Sequence, residues 1–115
     1  MSVNYSKGQA IQRGFNWRCK ISIGGKIVPM TGDIIGQIRQ DSGQPLIASV
    51  STADGTIVRT TSSISVNIPA LVTNTIPENI DFVYMDFGVV NGADIDYLGF
   101  KLKIPVKTPI TDLIP

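Results

Sequence analysis

The chain has 115 residues, enough to bury one hydrophobic core and too few for two. Ten Lys plus Arg stand against nine Asp plus Glu, so the basic footprint of a nucleic-acid binder is missing. Histidine is absent, which removes the side chain most used for proton transfer near neutrality and the commonest metal ligand.

Residues 1–12 are polar with isolated apolar residues, Tyr5 and Ile11 among them, and read as an N-terminal arm. They carry no apolar h-region of a signal peptide, so the expectation is synthesis and folding in a cytoplasm. "NYS" at Asn4–Ser6 matches a glycosylation acceptor, which by the same reasoning is a chance match. No apolar run reaches the ~20 residues that a membrane-spanning helix needs.

From Phe15 the chain alternates. Phe15, Trp17, Cys19, Ile21 and Ile23 fall on one side, with Asn16, Arg18, Lys20 and Ser22 on the other. A period of two is the signature of a half-buried strand, and Gly24-Gly25 supplies a turn. Cys19 is the single cysteine and cannot form an internal disulfide, so the fold holds by burial alone. Its place in the apolar row marks it as a small buried hydrophobe rather than a reactive thiol. "KIVPM" carries Pro29, which cannot donate to a ladder and places this piece at an edge or bend.

After the turn at Thr31–Asp33, Ile34, Gly36 and Ile38 alternate with Ile35, Gln37 and Arg39 in a second full strand. "QDSGQP" punctuates the chain, Leu46, Ala48 and Val50 mark a third strand, and Asp54-Gly55 signals a turn. Ile64, Val66 and Ile68 form the apolar side of the next strand, which Pro69 ends. "ALVTNT" is long enough for one or two helical turns between Pro69, suited to begin a helix, and Pro77, which stops it. Such a hook carries the chain from one sheet to the other over the end of a sandwich.

"NIDFVYMDFGVV" is apolar on both faces, Val83, Met85, Phe87 and Val89 against Ile80, Phe82 and Tyr84. That pattern predicts a central strand covered on both sides, or one whose outer face meets a partner. Asn91-Gly92 signals a hairpin, and Leu98, Phe100, Leu102 and Ile104 alternate through the last strand. Residues 106–115 are proline-rich and read as an extended tail carrying Ile110, Leu113 and Ile114. No stretch has convincing helical periodicity. The reading is therefore an all-β, immunoglobulin-like antiparallel sandwich of about seven to eight strands, with one short helical hook, over residues 13–105.

Reactive constellations are sparse. Asp94 and Asp96 share a face beside Gly92, yet the loop pattern of a calcium site is absent, and charges flanking a hairpin ordinarily serve solubility. Asp81 and Asp86 are five positions apart, on opposite faces of a strand, so they cannot act as an acid/base pair. Phe15, Trp17, Phe87 and Phe100 are in phase with the core rather than set out as a sugar platform; Tyr5, Tyr84 and Tyr97 belong at a surface. No catalytic residue, cofactor-binding motif or metal ligand set is assigned, and the expectation is a protein that is not an enzyme.

The order of these pieces resembles a family of small phage virion proteins and domains of tail baseplates and fibre attachments, related to the N-terminal domain of upper baseplate proteins. The segments carrying the resemblance are "FNWRCKISIGGKIVPMTGDIIGQIR" (15–39), "ISVNIPALVTNTIP" (64–77), "FVYMDF" (82–87) and "LGFKLKIPVKTPIT" (98–111). Here "VPMTGD" stands where the family has a "DLTGY" type segment, and Met85 separates Tyr84 from Asp86. The resemblance implies an architectural role in a virion, as a tail, baseplate or fibre adaptor built by protein-protein assembly, with a homo-oligomer expected. Capsid decoration and glycan recognition are the alternatives. Tyr5, Ile11, Tyr84, Tyr97, Ile110, Leu113 and Ile114 are the expected interface residues, with other virion proteins as partners and neither nucleic acid nor membrane among them.

Overall fold

The computed structural model describes residues 10–22, 28–111 and 113, and they form an all-β sandwich. In chain order the elements are β1 (Ile11–Gln12), β2 (Trp17–Ser22), β3 (Asp33–Arg39), β4 (Leu46–Ser51), β5 (Ile57–Arg59), β6 (Ser63–Ile68), α1 (Ala70–Thr73), β7 (Phe82–Asn91) and β8 (Asp94–Lys107). One sheet has the order β1-β8-β7-β3-β4, the other β2-β6-β5. Every pairing is antiparallel except β1 with β8.

Alternation in the sequence becomes the interior. Trp17, Cys19 and Ile21 of β2 face Ile64, Val66 and Ile68 of β6, and Val83, Met85, Phe87 and Val89 of β7 close the core from the opposite layer. β7 is the central strand of its sheet but is covered on one face only, with Phe82 and Tyr84 half-buried on the outer face. Phe87 and Phe100 meet with ring centroids 5.5 Å apart. Gly36 lies opposite Phe87 in register, and a Cβ there would fall 2.8 Å from the Phe87 ring and 2.9 Å from a Val50 methyl. The glycine is where the aromatic ring goes.

The hook follows its expected course. Pro69 precedes α1, whose first amide donates to Asn16 Oδ1 at 2.8 Å, and the chain passes from the three-stranded sheet to the five-stranded one. Thr73 is fully buried; its hydroxyl accepts from the Gly14 amide at 3.1 Å and lies 2.8 Å from the Phe15 carbonyl.

Arg13 completes this end of the sandwich. It is 8% exposed, and its Nε donates to the Ile76 carbonyl at 3.0 Å. The terminal nitrogens donate to the carbonyls of Pro77 and Ile80 and to Thr108 Oγ1. A buried guanidinium is thus satisfied by carbonyl dipoles, and its planar fork ties the segment before β2 to the loop after α1 and to the end of β8.

Several expectations are corrected by long-range pairing. Ile11, expected at a partner interface, is fully buried, because β1 pairs in parallel with β8 and sets Ile11 opposite Val106. For the same reason the sheet does not stop at residue 105: Val106 is buried and Lys107 is still in β8. The arm and the tail therefore each give two residues to the sandwich. Leu46 points outward, since an extra residue in β4, Ile47, shifts the register between Ile38 and Arg39 and turns inward in its place. Asp54-Gly55 makes its turn between strands of different sheets rather than within a hairpin, with Asp54 Oδ1 accepting from the Thr56 amide at 2.9 Å. In the β7–β8 hairpin the two loop residues are Gly92 and Ala93, with Gly92 at φ +64° and Asn91 paired to Asp94. Phe15 lies in a bend and is half-buried. The expected Gly24-Gly25 turn and Ile23 lie outside the described residues.

Cys19 is buried, and burial pushes its thiol pKa up from 9.0. Raising it suppresses the reactive thiolate at neutral pH. Alkylation of Cys19 in the folded protein is expected to be far slower than in denaturant, at a rate set by opening of the β2–β6 pair. Equal rates in the two states would contradict the placement of β2.

Candidate functional site

The outer face of the five-stranded sheet carries a groove of about 200 Å³. Register builds it in rows. Arg39, Tyr84 and Lys103 lie abreast on β3, β7 and β8; Gln37, Asp86 and Lys101 form the next row; Ile35, Gly88 and Tyr97 the third. Residues adjacent across strands share a face, so these side chains converge although they come from distant parts of the chain. The loop at Asp41, Ser42 and Gly43 walls one side.

Two irregularities border this groove. On one flank is the β3–β4 register shift beside Arg39. On the other, the β7–β8 register jumps between Asp86 and Gly88, so that residues 98–100 of β8 stand opposite Phe87 alone. This bulge, with Gly99 at φ +93°, sends Phe100 into the core and brings Tyr97 across from Gly88, which has no side chain to fill the space.

The polar groups are held in place. Arg39 donates to Gln37 Oε1 at 3.0 Å and to the Gln44 carbonyl at 2.9 Å. Tyr97 donates its phenolic proton to the Phe100 carbonyl at 3.1 Å, across the bulge. Partial burial, then the negative charge of Asp86 and a hydrogen bond to its carboxylate, raise the Tyr97 pKa further above the physiological range. Lys101 Nζ sits 4.9 Å from the centroid of the Tyr84 ring, and Lys103 Nζ 4.4 Å from that of Phe82, which meets Tyr84 edge-on at 5.6 Å.

Of the residues expected at an interface, Tyr84 and Tyr97 are brought together here, Tyr84 half-buried and Tyr97 59% exposed. Ile110 and Leu113 are exposed, and Ile11 is in the core. Tyr5 and Ile114 lie outside the described residues. Gln37, Arg39 and Lys101 carry no motif, and Asp86 enters the sequence reading only in the rejected pair with Asp81; the register across three strands assembles the four, and their shared outward phase is the available signal. Asp94 and Asp96 are exposed at the hairpin, Asp81 precedes β7, and among the described residues no cluster of three potential ligands could hold a metal ion.

A second depression, about 420 Å³ and more apolar, lies on the outer face of the three-stranded sheet, with Arg18, Lys20, Val58, Ser65 and Asn67 around it. Val58 is 60% exposed there. The chain matches no family model and no curated protein sequence.

Proposed function

We propose that the protein is a non-enzymatic phage virion component, a tail, baseplate or fibre adaptor that works by protein-protein contact and assembles as a homo-oligomer. Capsid decoration is the alternative position in the particle. Other virion proteins are its partners, with synthesis in the host cytoplasm preceding incorporation. The observation that carries this reading is the set of large aliphatic side chains standing in solvent: Ile95 at the β7–β8 hairpin, Leu71 on the hook, and Ile110 and Leu113 beyond β8. Single exposed apolar residues are ordinary, but Ile110 and Leu113 lie close together beyond the last strand, which favours a contact surface there. The order of strands and hook that resembles baseplate modules supports the same conclusion.

The test is truncation after Thr108. Cutting earlier would remove Val106 from the core and Thr108 from Arg13, so loss of assembly would be confounded with unfolding. The chain ending at residue 108 is expected to keep the melting temperature of the full chain while its mass by light scattering falls to that of a smaller assembly. An unchanged oligomer, with unchanged incorporation into particles, would remove the tail from the proposal.

A further inference from the structure

The groove on the five-stranded sheet is lined by none of the exposed aliphatic side chains that carry the assembly reading. We infer that it is a binding subsite for a single neutral sugar ring, with the exposed face of Tyr97 as platform and Gln37, Arg39, Asp86 and Lys101 as the hydrogen-bonding rim.

Four observations lead there. The groove is framed by two breaks in strand register, in a sheet otherwise paired in continuous register. Bulges re-aim side chains and concentrate beside binding sites, and here one places Tyr97 and the other adjoins Arg39. Second, the rim side chains balance: Arg39 and Lys101 are cations, Asp86 and Asp41 anions. A ligand of either net charge gains little from such a lining, whereas vicinal hydroxyls, each both donor and acceptor, match its alternation of donors and acceptors. Third, Lys101 already occupies the region over the Tyr84 ring, while Tyr97 is 59% exposed with its hydroxyl fixed by the Phe100 carbonyl. A rigid, open aromatic ring takes up the apolar C–H face of a pyranose at little entropic loss. Fourth, about 200 Å³ falls below the ~300–1,000 Å³ of sites for drug-sized ligands, which limits the occupant to one ring with its chain continuing into solvent.

The experiment is titration of the full chain, followed by amide NMR, with the methyl glycosides of glucose, galactose, mannose and N-acetylglucosamine. At least one is expected to cause saturable shifts confined to the amides around residues 37–39, 84–88 and 97–101. The Kd should be on the order of 1 mM, as for a small, half-open ligand. Tyr97→Ala, at an exposed position, is expected to fold normally and to weaken binding about tenfold; Tyr97→Phe keeps the platform and should lose less. Val58→Ser on the opposite sheet should leave the Kd unchanged. Absence of shifts with all four glycosides at tenfold higher concentration overturns the inference, as do shifts elsewhere on the surface. Equal binding by Tyr97→Ala, or shifts with a uronic acid or inorganic sulfate alone, also overturns it. The mass of the chain ending at residue 108 tests the assembly reading separately, so either can fail alone.

Discussion

Replacing Arg13 with alanine is expected to destabilise the protein by about 3–5 kcal/mol and to lower its melting temperature by on the order of 15 °C. The guanidinium is buried and serves the carbonyls of Ile76, Pro77 and Ile80 together with Thr108 Oγ1. Each buried acceptor that loses its donor costs about 1–3 kcal/mol, reduced where the loop can open to water. Arg13→Lys retains the charge but presents a point ammonium in place of a planar fork, so it is expected to recover less than half of the loss. Hydrogen exchange should speed up at residues 76–80 in both variants, ahead of the strands, because this side chain binds three carbonyls of the loop after α1. An Arg13→Ala protein that melts like the parent would show that the carbonyls find other donors, and that the fold does not depend on this connection.

Phe87→Ala should cost about 4–5 kcal/mol, the upper part of the range for a buried aromatic. The reason lies across the strand. Gly36 has no side chain to move into the space, so the cavity left by the ring cannot collapse from that direction. In the reverse experiment, Gly36→Ala in the intact protein drives a methyl group into the Phe87 ring and the Val50 methyl, at a cost of about 1–3 kcal/mol. Combining the two removes the Phe87 contacts but leaves the Val50 methyl 2.9 Å away, so Gly36→Ala is then expected to cost less than in the intact protein, a coupling on the order of 1 kcal/mol by urea denaturation. Strict additivity would mean that the ring and the glycine do not share this volume. Both losses are large against the ~5–15 kcal/mol that stabilises an ordinary domain.

The same pair shows how sequence and structure divide the information. Phase was legible: Ile34, Gly36 and Ile38 are on one side of β3, and Val83 to Val89 in steps of two are on one side of β7, as a period of two requires. That Gly36 makes room for Phe87, rather than marking a weak strand, follows only from the register between them. The groove is a stronger case. Tyr84 and Tyr97 read as surface residues, but Gln37 and Arg39 of β3 and Lys101 of β8 become their neighbours only through register across β3, β7 and β8.

Taken alone, the sequence determined the class of fold, the faces of the long strands, the hook between Pro69 and Pro77 and the burial of Cys19, because each depends on local periodicity or on one residue's backbone constraints. Tertiary structure decided that Ile11 is core, that β8 runs through Pro105 to Lys107, that Arg13 binds two ends of the chain to the hook, and that two breaks in register frame one groove. The physical reason is that a strand's own residues fix which way its side chains point, whereas its neighbours and register are fixed by contacts between residues far apart in the chain.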